Sequence, residues 1–161
     1  AVGCMEFGGC FLNKRLNRNN DGGTTRRTTD IFQLATTVLF QNPVQNFALA
    51  PNNLKDVSPV CMDYMKTVPT TWDETCFIDG YPGKYVVLAR RHGNTWYLAA
   101  VNAGKEIVKL KLDLDMFAGK TVSLYKDDKK GEPQLVTLKV KESGKVQLEI
   151  LPQGGVVLVN N

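Results

Sequence analysis

Val108-Lys109-Leu110-Lys111-Leu112-Asp113-Leu114 places an aliphatic side chain at every second position and a charged one between. Side chains of an extended strand point alternately to opposite faces, so this stretch has one dry and one wet face. The same period returns in Val136, Leu138 and Val140, set between Thr137, Lys139 and Lys141. It returns again in Val146, Leu148 and Ile150, set between Gln147 and Glu149. Residues 84–91 and 95–101 flank His92-Gly93-Asn94, a tight turn supplied with glycine, and read as a hairpin. Residues 119–126 and 155–159 add two further segments, set off by charged or glycine-rich turns. About seven short strands within roughly eighty residues, with no helical pattern among them, predict an antiparallel β-sandwich.

Upstream of Trp72 the period is different. Ile31, Leu34, Ala35, Val38 and Leu39 fall on one face of a helix, with Thr29 or Asp30 placed to cap its start. Pro43 cannot continue that helix, and the residue before a proline avoids helical angles, so it should stop near Gln41. Ser58-Pro59 signals a second helix, whose inward face is Cys61, Tyr64, Met65 and Val68 and which Pro69 ends. Between the two, residues 44–49 are short and largely apolar, as in a buried strand of an α/β layer. Residues 17–23, Asn-Arg-Asn-Asn-Asp-Gly-Gly, read as a mobile loop. An α/β piece of about seventy residues is too small for a closed barrel, so it reads as the last part of a larger layered structure.

Bulk properties exclude several classes. The chain has 161 residues and a net charge of +4 from 20 basic and 16 acidic side chains. These charges are interspersed, the longest basic runs being pairs such as Arg26-Arg27, so there is no nucleic-acid stripe. No apolar run approaches the roughly 20 residues that cross a bilayer. The first residue is Ala1 rather than Met, which leads us to expect a processed or truncated start. Cys4, Cys10, Cys61 and Cys76 match no zinc spacing, and with His92 as the one histidine a mixed-ligand zinc site is not expected. Isolated or buried thiols are the first expectation, with a Cys4–Cys10 disulfide as the alternative.

A set of short runs carries a family resemblance. They are Thr24-Thr25-Arg26-Arg27-Thr28-Thr29-Asp30, Phe32-Gln33-Leu34-Ala35, Gln41-Asn42-Pro43-Val44-Gln45 and Val68-Pro69-Thr70-Thr71-Trp72-Asp73-Glu74-Thr75. Asp79-Gly80, Pro82-Gly83, Ala89-Arg90-Arg91 and Gly93-Asn94-Thr95-Trp96-Tyr97 follow. In this order and spacing the chain resembles the C-terminal stretch of glycoside hydrolase family 97, from about Gly23 onward. The most specific part is Pro69, Thr70, Thr71, Trp72, Asp73, Glu74 and Thr75. That family includes α-glucosidases and α-galactosidases, many from gut Bacteroides-type bacteria. The resemblance implies an enzyme with an N-terminal sandwich, a (β/α)8 catalytic barrel and a C-terminal sandwich. Residues 1–71 would then be the incomplete C-terminal end of the barrel, and residues 72–161 the C-terminal sandwich. The expected fold is mainly β, with the α/β segment leading into the sandwich. The family's catalytic carboxylates and calcium-binding glutamates lie upstream, and none is matched here. The resemblance therefore implies a non-catalytic fragment whose sandwich braces the barrel. It also implies calcium for the parent's catalytic domain, the rest of the glycosidase as partner, and a periplasmic or cell-surface location.

Glycoside hydrolysis needs two carboxylates at a defined separation. Asp73 and Glu74 are neighbours in an extended segment and point to opposite sides, so contacts with backbone or arginine are the expectation, with Trp72 packed between the two units. Glu6 has a substrate-side role as a lesser alternative, and Asp30 reads as a helix-start residue rather than an acid. Arg26 and Arg27 read as exposed or as structural ion-pair partners, and His92 as a turn residue. A different class of function, an independent carbohydrate-binding or adhesion sandwich, would recruit oligosaccharide through Tyr97 or Tyr125. The remaining aromatics of this half, Tyr81, Tyr85, Trp96 and Phe117, form no evident platform. Residues 1–68 alone would expose apolar surface, which predicts self-association or disorder near the N-terminus.

Overall fold

The structure, a computed structural model, describes residues 7–9, 12–15, 21–49 and 51–160. Its first part is a strand–helix–strand–helix run: β1 (Phe7–Gly9), α1 (Asp30–Leu39), β2 (Gln45–Phe47) and α2 (Pro59–Met65). β1 and β2 pair in parallel, as a crossover through a helix requires. Thr29 is the N-cap of α1, its hydroxyl accepting from the Phe32 N–H at 3.1 Å. α1 ends at Leu39, two residues before the expected stop. α2 starts on Pro59 as read, yet Ser58 makes no side-chain cap bond.

The second part holds β3 (Glu74–Tyr81), β4 (Tyr85–His92), β5 (Thr95–Asn102), β6 (Val108–Asp113), β7 (Thr121–Asp127), β8 (Pro133–Lys139), β9 (Lys145–Ile150) and β10 (Gly155–Asn160). Six of them form one sheet in the order β3-β4-β5-β10-β7-β8, while β6 and β9 pair as a second, two-stranded sheet. The expected sandwich is therefore present, with eight strands rather than seven, and unequal in its two sheets. The additional strand is β3, an edge strand whose register with β4 slips between Phe77 and Asp79. That bulge moves the inward-facing set to the other parity midway, so no period of two survives in the sequence. β4 and β5 meet through Gly93 and Asn94, and Gly93 takes the positive φ of 56° that so tight a turn demands.

The large sheet has two covered faces. On one, Val87, Leu98, Val122, Val156 and Leu158 interlock with Leu110, Leu112, Leu148 and Ile150 of the small sheet. On the other, Tyr97, Ala99, Val101 and Val157 meet Ile31, Leu34, Ala35 and Val38 of α1 and Cys61, Tyr64 and Met65 of α2. This second covering explains β10, where all residues but Val159 are buried: a central strand dry on both faces reads as one apolar run. β8 departs from the expected dry face, because Val136 stays exposed at the sheet edge while Val140 is buried. Among the described residues, no helix is long and apolar enough to cross a membrane.

Candidate functional site

α1 is held at both ends by groups from the large sheet. At its start, the Thr29 hydroxyl donates to Oδ2 of Asp127 at 2.9 Å, and the Thr29 N–H donates to the Gln153 carbonyl at 3.0 Å. The same Asp127 oxygen accepts from the Gly155 N–H at 3.1 Å. Burial raises the Asp127 carboxyl from 3.8 to about 6, against the pull of these bonds and of Arg26. Its other oxygen, Oδ1, is buried with no hydrogen-bond partner. Arg26 pairs with Asp30 one turn along and also donates to the Asn13 carbonyl at 3.3 Å.

At its end, Arg90 of β4 is only 4% exposed and reaches the carbonyls of Leu39 and Phe40 at 3.3 and 3.4 Å. The last carbonyls of a helix have no partner within it and carry the negative end of its dipole, so a cation there satisfies both. Burial holds the Arg90 guanidinium below its usual pKa. Between these ends the backbones touch. A Cβ placed on Gly155 would sit 2.8 Å from the Ile31 carbonyl oxygen and from the Phe32 nitrogen and Cα. Only glycine permits that approach.

The Pro69–Thr75 motif closes the same seam from the side. Trp72 meets the Tyr97 ring edge-on at 5.4 Å, with the Arg90 guanidinium 5.9 Å from the Trp72 ring centre. Asp73 accepts from the Gly93 N–H at 2.7 Å, and its own N–H donates to the Arg91 carbonyl at 2.8 Å. Arg91 bridges to Glu74 at 3.2 Å and to Asp73 at 3.6 Å. His92 places Nδ1 2.9 Å from the Thr71 carbonyl. The motif thus ties the link after α2 to the β4–β5 turn, with Pro69 and Thr70 leading into that tie.

The other sequence-selected residues are spread apart. Glu6, Cys4 and Cys10 lie outside the described residues, as do residues 17–20 of the expected loop. Cys61 is buried beneath α1, and the Cys76 thiol faces Glu74 at 3.6 Å. Tyr97 is 8% exposed and Phe117 is fully buried, so neither ring is available for stacking on a sugar. Tyr125 packs edge-on against Tyr64 at 5.0 Å. Among the described residues, no three His, Cys, Asp or Glu side chains come together to hold a metal. Asp127 escaped the sequence reading because Lys126-Asp127-Asp128-Lys129-Lys130 looks like any charged turn.

A family model described as the glycosyl-hydrolase 97 C-terminal region, oligomerisation, matches residues 71–159. The chain belongs to glycoside hydrolase family 97. A crystal structure of a β-arabinopyranosidase is 84% identical, covering 98% of this chain and 25% of that one, with a TM-score of 0.95. A family 97 enzyme from Pseudoalteromonas sp. strain K8, solved with acarbose, is 28% identical over 99% of this chain and 26% of its own, with a TM-score of 0.82. A retaining α-galactosidase from Bacteroides thetaiotaomicron is 28% identical over 135 residues, 78% of this chain and 20% of its length. The family 97 segment thus spans about a fifth to a quarter of these relatives. It corresponds to the non-catalytic C-terminal part of a family 97 glycosidase, and the rest of that glycosidase is its partner.

Proposed function

We propose that the family 97 segment braces the catalytic unit of its glycosidase, the sandwich of residues 72–161 gripping the barrel-derived helices of residues 1–71. The observation that carries this reading is the double clamp on α1, with Asp127 at its start, Arg90 at its end and Gly155 against its backbone. Phe40, Val44 and Leu54 support it, because they leave apolar surface on the helix side for the rest of the parent to cover. The parent's substrate follows from its relatives. At 84% identity, the β-arabinopyranosidase makes a terminal β-arabinopyranoside the first candidate, ahead of the α-galactosides and α-glucosides of more distant members. Calcium belongs to this reading as a requirement of the parent's other residues, and a periplasmic or cell-surface location goes with it.

The test is Gly155→Val in the intact glycosidase. The expected result is a lower thermal midpoint with KM unchanged, because the substituted site touches the helix and not the substrate. A midpoint equal to that of the unsubstituted enzyme would sink the brace. Self-association is a second role, favoured by the oligomerisation description of the matched region and by exposed Leu135 and Val136 along β8.

A further inference from the structure

Beside α2, the helix side of the large sheet changes from apolar to hydroxyl-bearing. Tyr97 of β5 pairs with Val159 of β10, and Val159 with Ser123 of β7, so the three share one face. Thr95 and Tyr125 stand two residues along the same strands and face the same way. Asp63 and Tyr64 of α2, with Thr67 just beyond it, meet these residues around a pocket of about 410 Å³. Small-molecule sites run from about 300 to 1,000 Å³, so this one suits a short ligand.

Two of its hydroxyls have no counterpart within the protein. Tyr97 is 8% exposed, and its hydroxyl has no hydrogen-bond partner among the described residues. Nor has that of Tyr125, whereas Tyr64 beside it meets the Thr37 hydroxyl at 3.0 Å. A nearly buried hydroxyl without a partner is uncommon, because the hydration it loses has to be replaced. Burial raises the pKa of both phenols, with Tyr125 raising Tyr97 further and Asp63 raising Tyr125 further. Both hydroxyls therefore keep their protons at neutral pH and can donate. Asp63 accepts from Lys66 through Oδ1 at 2.8 Å, which leaves Oδ2 open to a ligand.

The chemistry of this lining selects a ligand class. Tyrosine and threonine hydroxyls both donate and accept, as sugar hydroxyls do. The lining holds one carboxylate and no cation, which disfavours phosphates and carboxylic acids. Val159 offers apolar contact to the C–H face of a ring. We infer that this pocket binds a short neutral saccharide through the Tyr97, Tyr125 and Thr95 hydroxyls and the Asp63 carboxylate. Recognition runs through hydroxyls rather than ring stacking, because Trp72 and Tyr64 pack on the two tyrosine rings. A saccharide held there ties α2 to β5 and β7. This site goes beyond the bracing reading and does not depend on it.

A 3-fluorotyrosine at position 125 of the intact glycosidase tests it, its fluorine resonance followed while arabinose, galactose or maltose is added. At least one sugar should shift the resonance saturably. The apparent Kd should rise about fivefold in Tyr97→Phe, the loss expected for one hydrogen bond. Phenylalanine keeps the ring against Trp72, and no protein partner loses a bond, so the sugar-free thermal midpoint should not fall. No shift with any of the three sugars overturns the proposal, as does an equal shift with glycerol. An unchanged Kd in Tyr97→Phe would place the binding elsewhere in the enzyme, and a lowered midpoint would give the hydroxyl to the fold; either overturns it too. The brace through α1 is judged separately by the Gly155→Val midpoint, so either idea can fall alone.

Discussion

Toward β6 and β9 the large sheet meets aliphatic side chains from a second, two-stranded sheet of its own domain, whereas toward α1 it adds to its apolar contact a close glycine approach and buried polar clamps. The first contact is generic: residues of the right size on the right parity suffice, and area removed from water supplies the stability. The second is specific. Arg90 suits a helix carbonyl end, Asp127 suits a threonine cap, and Gly155 suits a backbone at van der Waals distance. A surface that must hold one particular neighbour in one particular pose uses directional groups, and a surface that merely closes a core does not.

The largest effect expected from breaking this comparison falls on the generic side. Ile150→Ala removes a fully buried side chain from the core between the sheets and should cost about 2–5 kcal/mol, read from denaturant midpoints. Because that core underlies every strand, hydrogen exchange should rise in β6, β9 and α1 together. Gly155→Val comes next, at about 2–3 kcal/mol, since its side chain meets backbone that cannot rotate away. Here exchange should rise in α1 well before β6 and β9; a uniform rise would show that the two faces melt as one.

Arg90→Met sharpens the comparison by keeping an unbranched apolar stem and removing the charged, donating head. It leaves the Leu39 and Phe40 carbonyls without their donor at a buried helix end, which costs about 1–3 kcal/mol. The loss should appear as fraying of the last turn of α1. Asp127→Asn has the smallest expected effect and is read against pH. With the folded carboxyl raised to about 6 from 3.8, the folded state holds its proton more tightly than the unfolded chain. Stability from this group is thus fully present below about pH 4 and declines as pH rises through 6. Asparagine cannot ionise, so the variant's thermal midpoint should fall less than that of the unsubstituted chain between pH 4 and 7.

How much of this was legible follows the same division. β6 and β9 were readable because each has one wet and one dry face, and alternation is what that geometry writes into a strand. α1 was readable from its period and its Thr29 cap. β3 was not, because a bulge at a free edge cancels its parity, and β1 is three residues, two of them glycine. The family motif was visible as a string, but its work was not: Trp72, Asp73 and Glu74 act on Arg90, Gly93 and Arg91, which lie elsewhere in the chain. Trp96 and Tyr97 are neighbours in a strand and face opposite sides, and only the helices covering one face show that Tyr97 is the buried one.

By itself, the sequence determined the local choices: strand or helix, the caps, the turn at Gly93, and membership of a family whose chemistry lies in other residues. Those choices depend on side-chain period and backbone angles within a few residues. Only the tertiary structure decided that one sheet takes six strands, that helices cover its second face, and that Asp127, Arg90 and Gly155 converge on α1. These are contacts between residues separated by fifty to over a hundred positions, such as Arg90 with Leu39 and Thr29 with Asp127. No local period encodes such pairs, because they form only when distant faces are brought together to exclude water.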